Sequence, residues 1–147
     1  MTRIDFAFGA NDRLRAACQV ARKRYQAGQR LVVYCSEGAR LTAFDRLLWA
    51  FDDVAFVPHV LATDPLAAVT PIVLTAATPV ADAADAADAR WLMNLDDECP
   101  PGYEAFPRLL EIVTTEPSDV QNARQRWRAY QAAGHTLHAH DLAGRLA

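Results

Sequence analysis

Lysine is almost missing from this chain: Lys23 is the only one among 15 basic residues, and arginine supplies the rest. That is a bias of composition rather than a sign of function. The basic residues are also outnumbered by 18 acidic ones, for a formal net charge of −3. A general nucleic-acid binder needs a basic surplus to neutralise phosphates, so no direct nucleic-acid contact is expected and any anion site must be local. Cysteine is equally sparse. Cys18, Cys35 and Cys99 are odd in number and lack C-x-x-C spacing, which argues against a disulfide framework or a zinc site and fits a reducing, cytoplasmic compartment. Glycine-rich phosphate loops are absent too. The turns after the first two apolar runs offer only Gly9-Ala-Asn and Ser36-Glu-Gly38, neither of which makes the amide cradle a nucleotide needs. No signal-peptide pattern opens the sequence and no apolar run approaches a membrane span, so no membrane contact is expected.

What is present is an ordinary globular composition, 52% hydrophobic and 22% charged over 147 residues, enough for one domain over residues 1–147 with a single core. Short apolar runs alternate with amphipathic stretches. Ile4 to Phe8, Leu31 to Cys35, Val54 to Val57, Pro71 to Thr75, Trp91 to Leu95 and Leu109 to Val113 read as strands. A helix capped by Asn11-Asp12 runs to Gly28 with Leu14, Cys18, Ala21 and Tyr25 along one stripe. A second, capped by Ser36, carries Leu41, Phe44, Leu47, Leu48 and Phe51. This alternation predicts an α/β fold with a mostly parallel sheet flanked by helices. The Ala/Asp triplet repeat over 81–89 reads as a surface connection.

A third helix is the most informative segment. Ser118, with Gln121 three positions on, has a capping-box pattern, and Gly134 supplies a left-handed stop. Arg124, Trp127 and Arg128 share one face on a 3.6-residue period. Two guanidinium forks beside an aromatic ring suit a carboxylate next to an apolar group; the bland alternative is a solvated face with Trp127 folded into the core. A second constellation runs from Leu47-Leu48-Trp49 to Phe56-Val57-Pro58-His59. Trp49 and Phe56 are either core or, if exposed at the end of a helix and beside a strand, anchors for another protein.

Catalytic or metal sites find weaker support. Asp96-Asp97-Glu98 could hold a divalent cation, but adjacent acids before Pro100-Pro101 also make a polar turn. His135, His138, His140 and Asp141 are loosely ligand-like, yet they follow the last helix in what reads as a mobile terminus. Neither Cys35 nor Cys99 has a general base near it in sequence, and His59 cannot be paired with either from sequence. No cofactor is expected. A small nucleotide-binding enzyme or metal-dependent hydrolase using Asp96 to Glu98 is the alternative function class.

Taken in order, Arg46-Leu-Leu-Trp49, Phe56-Val-Pro-His59, Pro71-Ile-Val-Leu74, Arg90-Trp-Leu-Met-Asn-Leu95, Phe106 with Glu111-Ile-Val113, and Arg124-Gln-Arg-Trp-Arg-Ala-Tyr130 with Gly134 carry a resemblance. Over essentially its whole length the chain resembles the chi subunit family of the bacterial DNA polymerase III holoenzyme, an accessory of the clamp loader. The resemblance implies a Rossmann-like α/β fold without catalysis and a connector with two surfaces. One would grip the acidic C-terminal tail of the single-stranded-DNA-binding protein through Val113, Arg124, Trp127 and Arg128. That tail ends in a phenylalanine whose free carboxylate follows acidic residues. The other would hold the psi subunit, or a helicase at the same place, through Trp49 and Phe56 with Val57, Pro58 and His59 adjoining. Trp127 departs from the family's Tyr, and Val120 stands where some relatives carry Lys, which makes the tail site less basic.

Overall fold

The computed structural model describes residues 2–50, 56–81 and 89–142. Within them the chain runs β1 (Arg3–Ala10), α1 (Arg13–Gln26), β2 (Leu31–Tyr34), α2 (Gly38–Ala50), β3 (His59–Leu61), β4 (Ile72–Thr75), β5 (Trp91–Asn94), β6 (Arg108–Thr114), α3 (Pro117–Ala132) and β7 (Thr136–Asp141). Single turns of 3-10 helix lie at Ala67–Val69 and Tyr103–Ala105. The strands form one sheet in the order β3-β4-β2-β5-β6-β1-β7, and each pairing is parallel.

A parallel sheet needs cover on both faces, and its strands therefore read as unbroken apolar runs. All four residues of β2 are buried. Leu31 and Val33 join the core beneath α1 and α2, with Cys18, Ala21, Leu41, Phe44 and Leu48. Val32 and Tyr34 point the other way, into the core that α3 closes with Ala123 and Tyr130. The α/β expectation holds, with two helices on one face and one on the other. Among the described residues no helix is long and apolar enough to cross a membrane.

Local chemistry sets most boundaries. The Asp12 carboxylate accepts from the Arg15 amide at 3.1 Å and starts α1. Gly28 and Gly134, at φ 79° and 85°, turn the chain through the left-handed region that ends α1 and α3. Four expectations need correction. Glu37, not Ser36, caps α2: its carboxylate accepts from the Ala39 and Arg40 amides, while the Ser36 hydroxyl donates to Asp96 at 2.6 Å. Ser118 does not cap α3, which begins at Pro117 after Glu116. Proline fits a first-turn position because its missing N–H would be unbonded there anyway. In place of the strand expected over Val54 to Val57, the described residues Phe56 and Val57 lead into β3, which begins at His59. Phe56 and Val57 precede it, because Pro58 has no N–H to give a ladder; Phe51 and residues 54–55 fall outside the described set, as do residues 82–88 of the Ala/Asp repeat. Finally, His138 and His140 are not in a mobile tail but in β7, paired with β1 through His138↔Asp5 and His140↔Ala7.

Asp5 clasps this edge of the sheet. Its buried carboxylate accepts from Arg108 Nε of β6 at 2.6 Å and lies 2.9 Å from His140 Nε2 of β7, with Arg3 at 3.2 Å. Burial alone would raise its pKa, but the hydrogen bonds from His140, Arg108 and Arg3 together outweigh it and bring the value below 3.8. A depressed carboxylate stabilises the fold in its charged form, so its contribution is complete at neutral pH and is lost as pH falls through and below 3.8. Asp5→Asn should therefore lower the melting temperature at pH 7 and flatten its decline in acid. Parallel acid slopes for variant and wild type in thermal melts would rule this out.

Candidate functional site

Helix α3 and the strands beneath it form an apolar groove of about 450 Å³. Phe6, Phe8 and Val113 supply the sheet side, and Val120, Ala123 and Trp127 the helix side. The register explains the match: Phe6 pairs with Glu111 on one side and Ala139 on the other, so alternate residues of β1, β6 and β7 face α3 together. Trp127 is half-buried and packs on Phe6 with ring centroids 5.1 Å apart. It is thus a groove wall, intermediate between a free platform and a core residue. Arg124 is exposed and lines the groove; Arg128 is exposed one turn further along and does not line it. Among the described residues neither guanidinium is held in an ion pair. Val113, Arg124 and Trp127 are therefore brought together as expected, with Arg128 outside the rim.

The residue between them is the one sequence reasoning passed over. Arg126 is buried and its Nε donates to Glu111 Oε2 at 3.1 Å, with the pair at 2% and 0% side-chain exposure. Tyr130 donates to the same oxygen at 2.6 Å and Asn94 Nδ2 at 3.0 Å, while Arg126 Nη1 donates to the Asp97 carbonyl at 2.8 Å. Burial and the adjacent Glu111 charge push the Tyr130 phenol well above its usual range, so it stays a donor. This knot fixes the rotation of α3 on β6 and so decides which side chains face the groove. A signal existed: Ala123, Arg126 and Tyr130 follow the i, i+3, i+7 phase of a core stripe, and Glu111 is the one acid inside the strand run Leu109-Leu-Glu-Ile-Val113.

The second constellation lies at the opposite edge of the sheet. Trp49 and Phe56 are 49% and 66% exposed, and their rings meet at 5.2 Å. Trp49 also stacks on His59 at 4.0 Å. His59 is buried, its Nδ1 2.8 Å from the Val57 carbonyl and its Nε2 2.9 Å from Asp45 Oδ1. Val57 is in the core and Pro58 half-buried. Trp49 and Phe56 form the outward surface, while Val57 and His59 support it from behind. Leu61, Leu66 and Val69 add exposed apolar surface on β3 and its connection to β4, which the sequence reading did not single out.

The groups considered for catalysis are engaged elsewhere. β1 and β6 are neighbours whose following helices lie on opposite faces, the place where open α/β sheets bind ligands. There Arg13 donates to the carbonyls of Ile112 and Asp96 and pairs with Asp97 at 3.6 Å. Arg40 donates to the Leu95 carbonyl and pairs with Asp97 at 3.3 Å. Asp96 accepts from Ser36; burial would raise its pKa, but the Ser36 hydroxyl, two backbone amides and Arg40 bring it down. Among the described residues no three of His, Cys, Asp and Glu are grouped to hold a metal. His135 is apart from the other two histidines, its Nδ1 accepting from the Thr2 amide. Burial raises the thiol pKa of Cys35 and Cys99, and of Cys18 to about 12, away from nucleophilic thiolate.

The family described as DNA polymerase III chi subunit, HolC, matches residues 1–138, a span that includes both surfaces. A protein named DNA polymerase III subunit chi from Pseudomonas aeruginosa is 34% identical over 146 residues, covering 97% of this chain and 98% of that protein. Proteins of the same name from Escherichia coli and Haemophilus influenzae are 30% and 25% identical over 120 and 121 residues, 82% of this chain in each case and 79% and 81% of theirs. The chain belongs to the DNA polymerase III chi subunit family.

Proposed function

We propose that this replication accessory subunit is a non-enzymatic, cytoplasmic connector within a single domain. The α3 groove takes the acidic C-terminal tail of the single-stranded-DNA-binding protein, and the Trp49/Phe56 patch takes the psi subunit of the clamp loader. The observation that carries the first half is an apolar groove with unpaired guanidiniums at and beyond its rim. An aromatic side chain enters the groove between Val113 and Trp127. The terminal carboxylate meets Arg124, and the acidic residues before it extend toward Arg128. In support of the second half, two stacked aromatics are presented on rigid elements, the arrangement that anchors protein contacts. The switch-point crevice, with its arginines engaged by carboxylates and carbonyls, gives no matching support to the enzyme reading.

Calorimetry with a tail peptide tests the groove. Arg124→Ala is expected to cost about 1.5–3 kcal/mol of binding, the range for charge-assisted hydrogen bonds, and Arg128→Ala a smaller share because it stands off the rim. Arg124→Lys should recover only part, since an ammonium cannot form the fork. Affinity should fall as salt rises. Binding that ignores salt, or no binding by the wild type, removes the proposal.

A further inference from the structure

On the face of the β1/β7 edge opposite α3, the C-terminal end of α1 brings two unpaired cations to the sheet. A cleft of about 270 Å³ is lined there by Lys23 and Arg24 from the end of α1, Arg108 from β6, Trp91 from β5, Asp5 from β1 and His140 from β7. The Arg108 guanidinium lies 4.3 Å and that of Arg24 5.6 Å from the Trp91 ring centroid. Asp5 faces Arg3, Arg108 and His140 at once, so it has nothing left for Lys23 or Arg24, neither of which is in an ion pair among the described residues. Lys23 and Arg24 thus stand free in a cleft whose carboxylate is already engaged by Arg3, Arg108 and His140. Lys23 and Arg24 favour the C-terminal end of a helix dipole, which accounts for their place on α1; it does not account for Arg3 and Arg108 converging from the sheet.

We infer that this cleft is a weak contact for the phosphodiester backbone of single-stranded DNA. Arg108 bonds Asp5 through Nε alone, leaving both Nη groups of its fork for phosphate oxygens. The half-buried Trp91 ring holds the Arg108 and Arg24 guanidiniums over it, which fixes the place of two of the cations that would meet successive phosphates of an extended strand. The net charge of −3 keeps such a contact local. A subunit of the family named for DNA polymerase III would supplement the grip of other subunits with it. The inference does not depend on the tail groove, which lies on the opposite face of the sheet.

Fluorescence anisotropy with a labelled oligothymidine at low and physiological salt tests it. The wild type should bind at low salt, and K23E/R24E should bind about tenfold more weakly, with the salt slope reduced by about 1.4 for two lost phosphate contacts. R124E/R128E should leave the interaction intact. K23E/R24E should keep its tail-peptide affinity and its circular-dichroism spectrum, which shows that the fold survives the small loss of stability expected from acids at a helix C-terminus. No binding by wild type at low salt, no change in K23E/R24E, or loss through R124E/R128E instead overturns the inference. So does an oligoglutamate peptide that binds the cleft more tightly than the oligothymidine.

Discussion

Arg126→Ala is expected to lower stability by about 3–5 kcal/mol, the range for removing one partner of a buried ion pair, and the melting temperature by roughly 6–20 °C at this chain length. The loss comes less from the vanished attraction than from what remains. Glu111 would be left at 0% exposure with no cation beside it and only Tyr130 and Asn94 donating to it. Replacing both partners by apolar residues of similar volume, as in R126M/E111L, should return much of the stability, because desolvating the pair offsets most of its attraction. Glu111 Oε1 and Arg126 Nη2 already make no hydrogen bond, so the wild-type knot carries part of that cost itself. Thermal and urea unfolding of the single and double variants decide the matter. An Arg126→Ala melting temperature within about 2 °C of wild type would mean that the knot is not buried in solution.

Trp49→Ala is the second large effect, and it concerns binding. On the connector reading it should weaken capture by the clamp-loader side by at least about 2 kcal/mol, as expected for a central aromatic anchor, while tail-peptide affinity stays within about 0.5 kcal/mol of wild type, the limit for distant sites. The sheet order supports the separation: five strand spacings lie between β3 and β1, roughly 24 Å at ~4.8 Å each. Arg124→Ala should show the reverse pattern. Paired titrations on each variant, with circular dichroism as a folding control, provide the measurement. Equal weakening of both partners by one substitution would replace two surfaces with a single shared one.

How far the sequence could be read depended on how each element earns its burial. Strands β2, β4, β5 and β6 lie inside the sheet and show as apolar runs, as does β1, whose far neighbour is the edge strand β7. At the edges the signal fades. β7 contributes Leu137 and Ala139 to one face and Thr136, His138 and His140 to the other, so it resembles a polar tail. β3 is three residues long, and the aromatic run before Pro58 drew the expected strand toward itself. On α3 the exposed Arg124 and Arg128 were found because they share a face with Trp127. Arg126 was missed because a run of arginines looks uniformly solvated until the phase with Ala123 and Tyr130 is followed. The support role of His59 needed coordinates, since Asp45 is 14 residues away in sequence.

The place of β1 between β6 and β7 bears on how the chain is made. Its first partner is Arg108–Thr114, about 100 residues downstream of Arg3. At roughly 5–20 residues per second of synthesis, β1 waits on the order of 5–20 s with both edges unpaired. Meanwhile β2, β4 and β5 can assemble with α1 and α2, so the nascent chain is expected to exist for seconds as a partial sheet with a dangling apolar strand. Pairings so distant in sequence also slow refolding from denaturant. Such an intermediate is one that nascent-chain chaperones bind, and shortening the chain before β6 would make that state permanent.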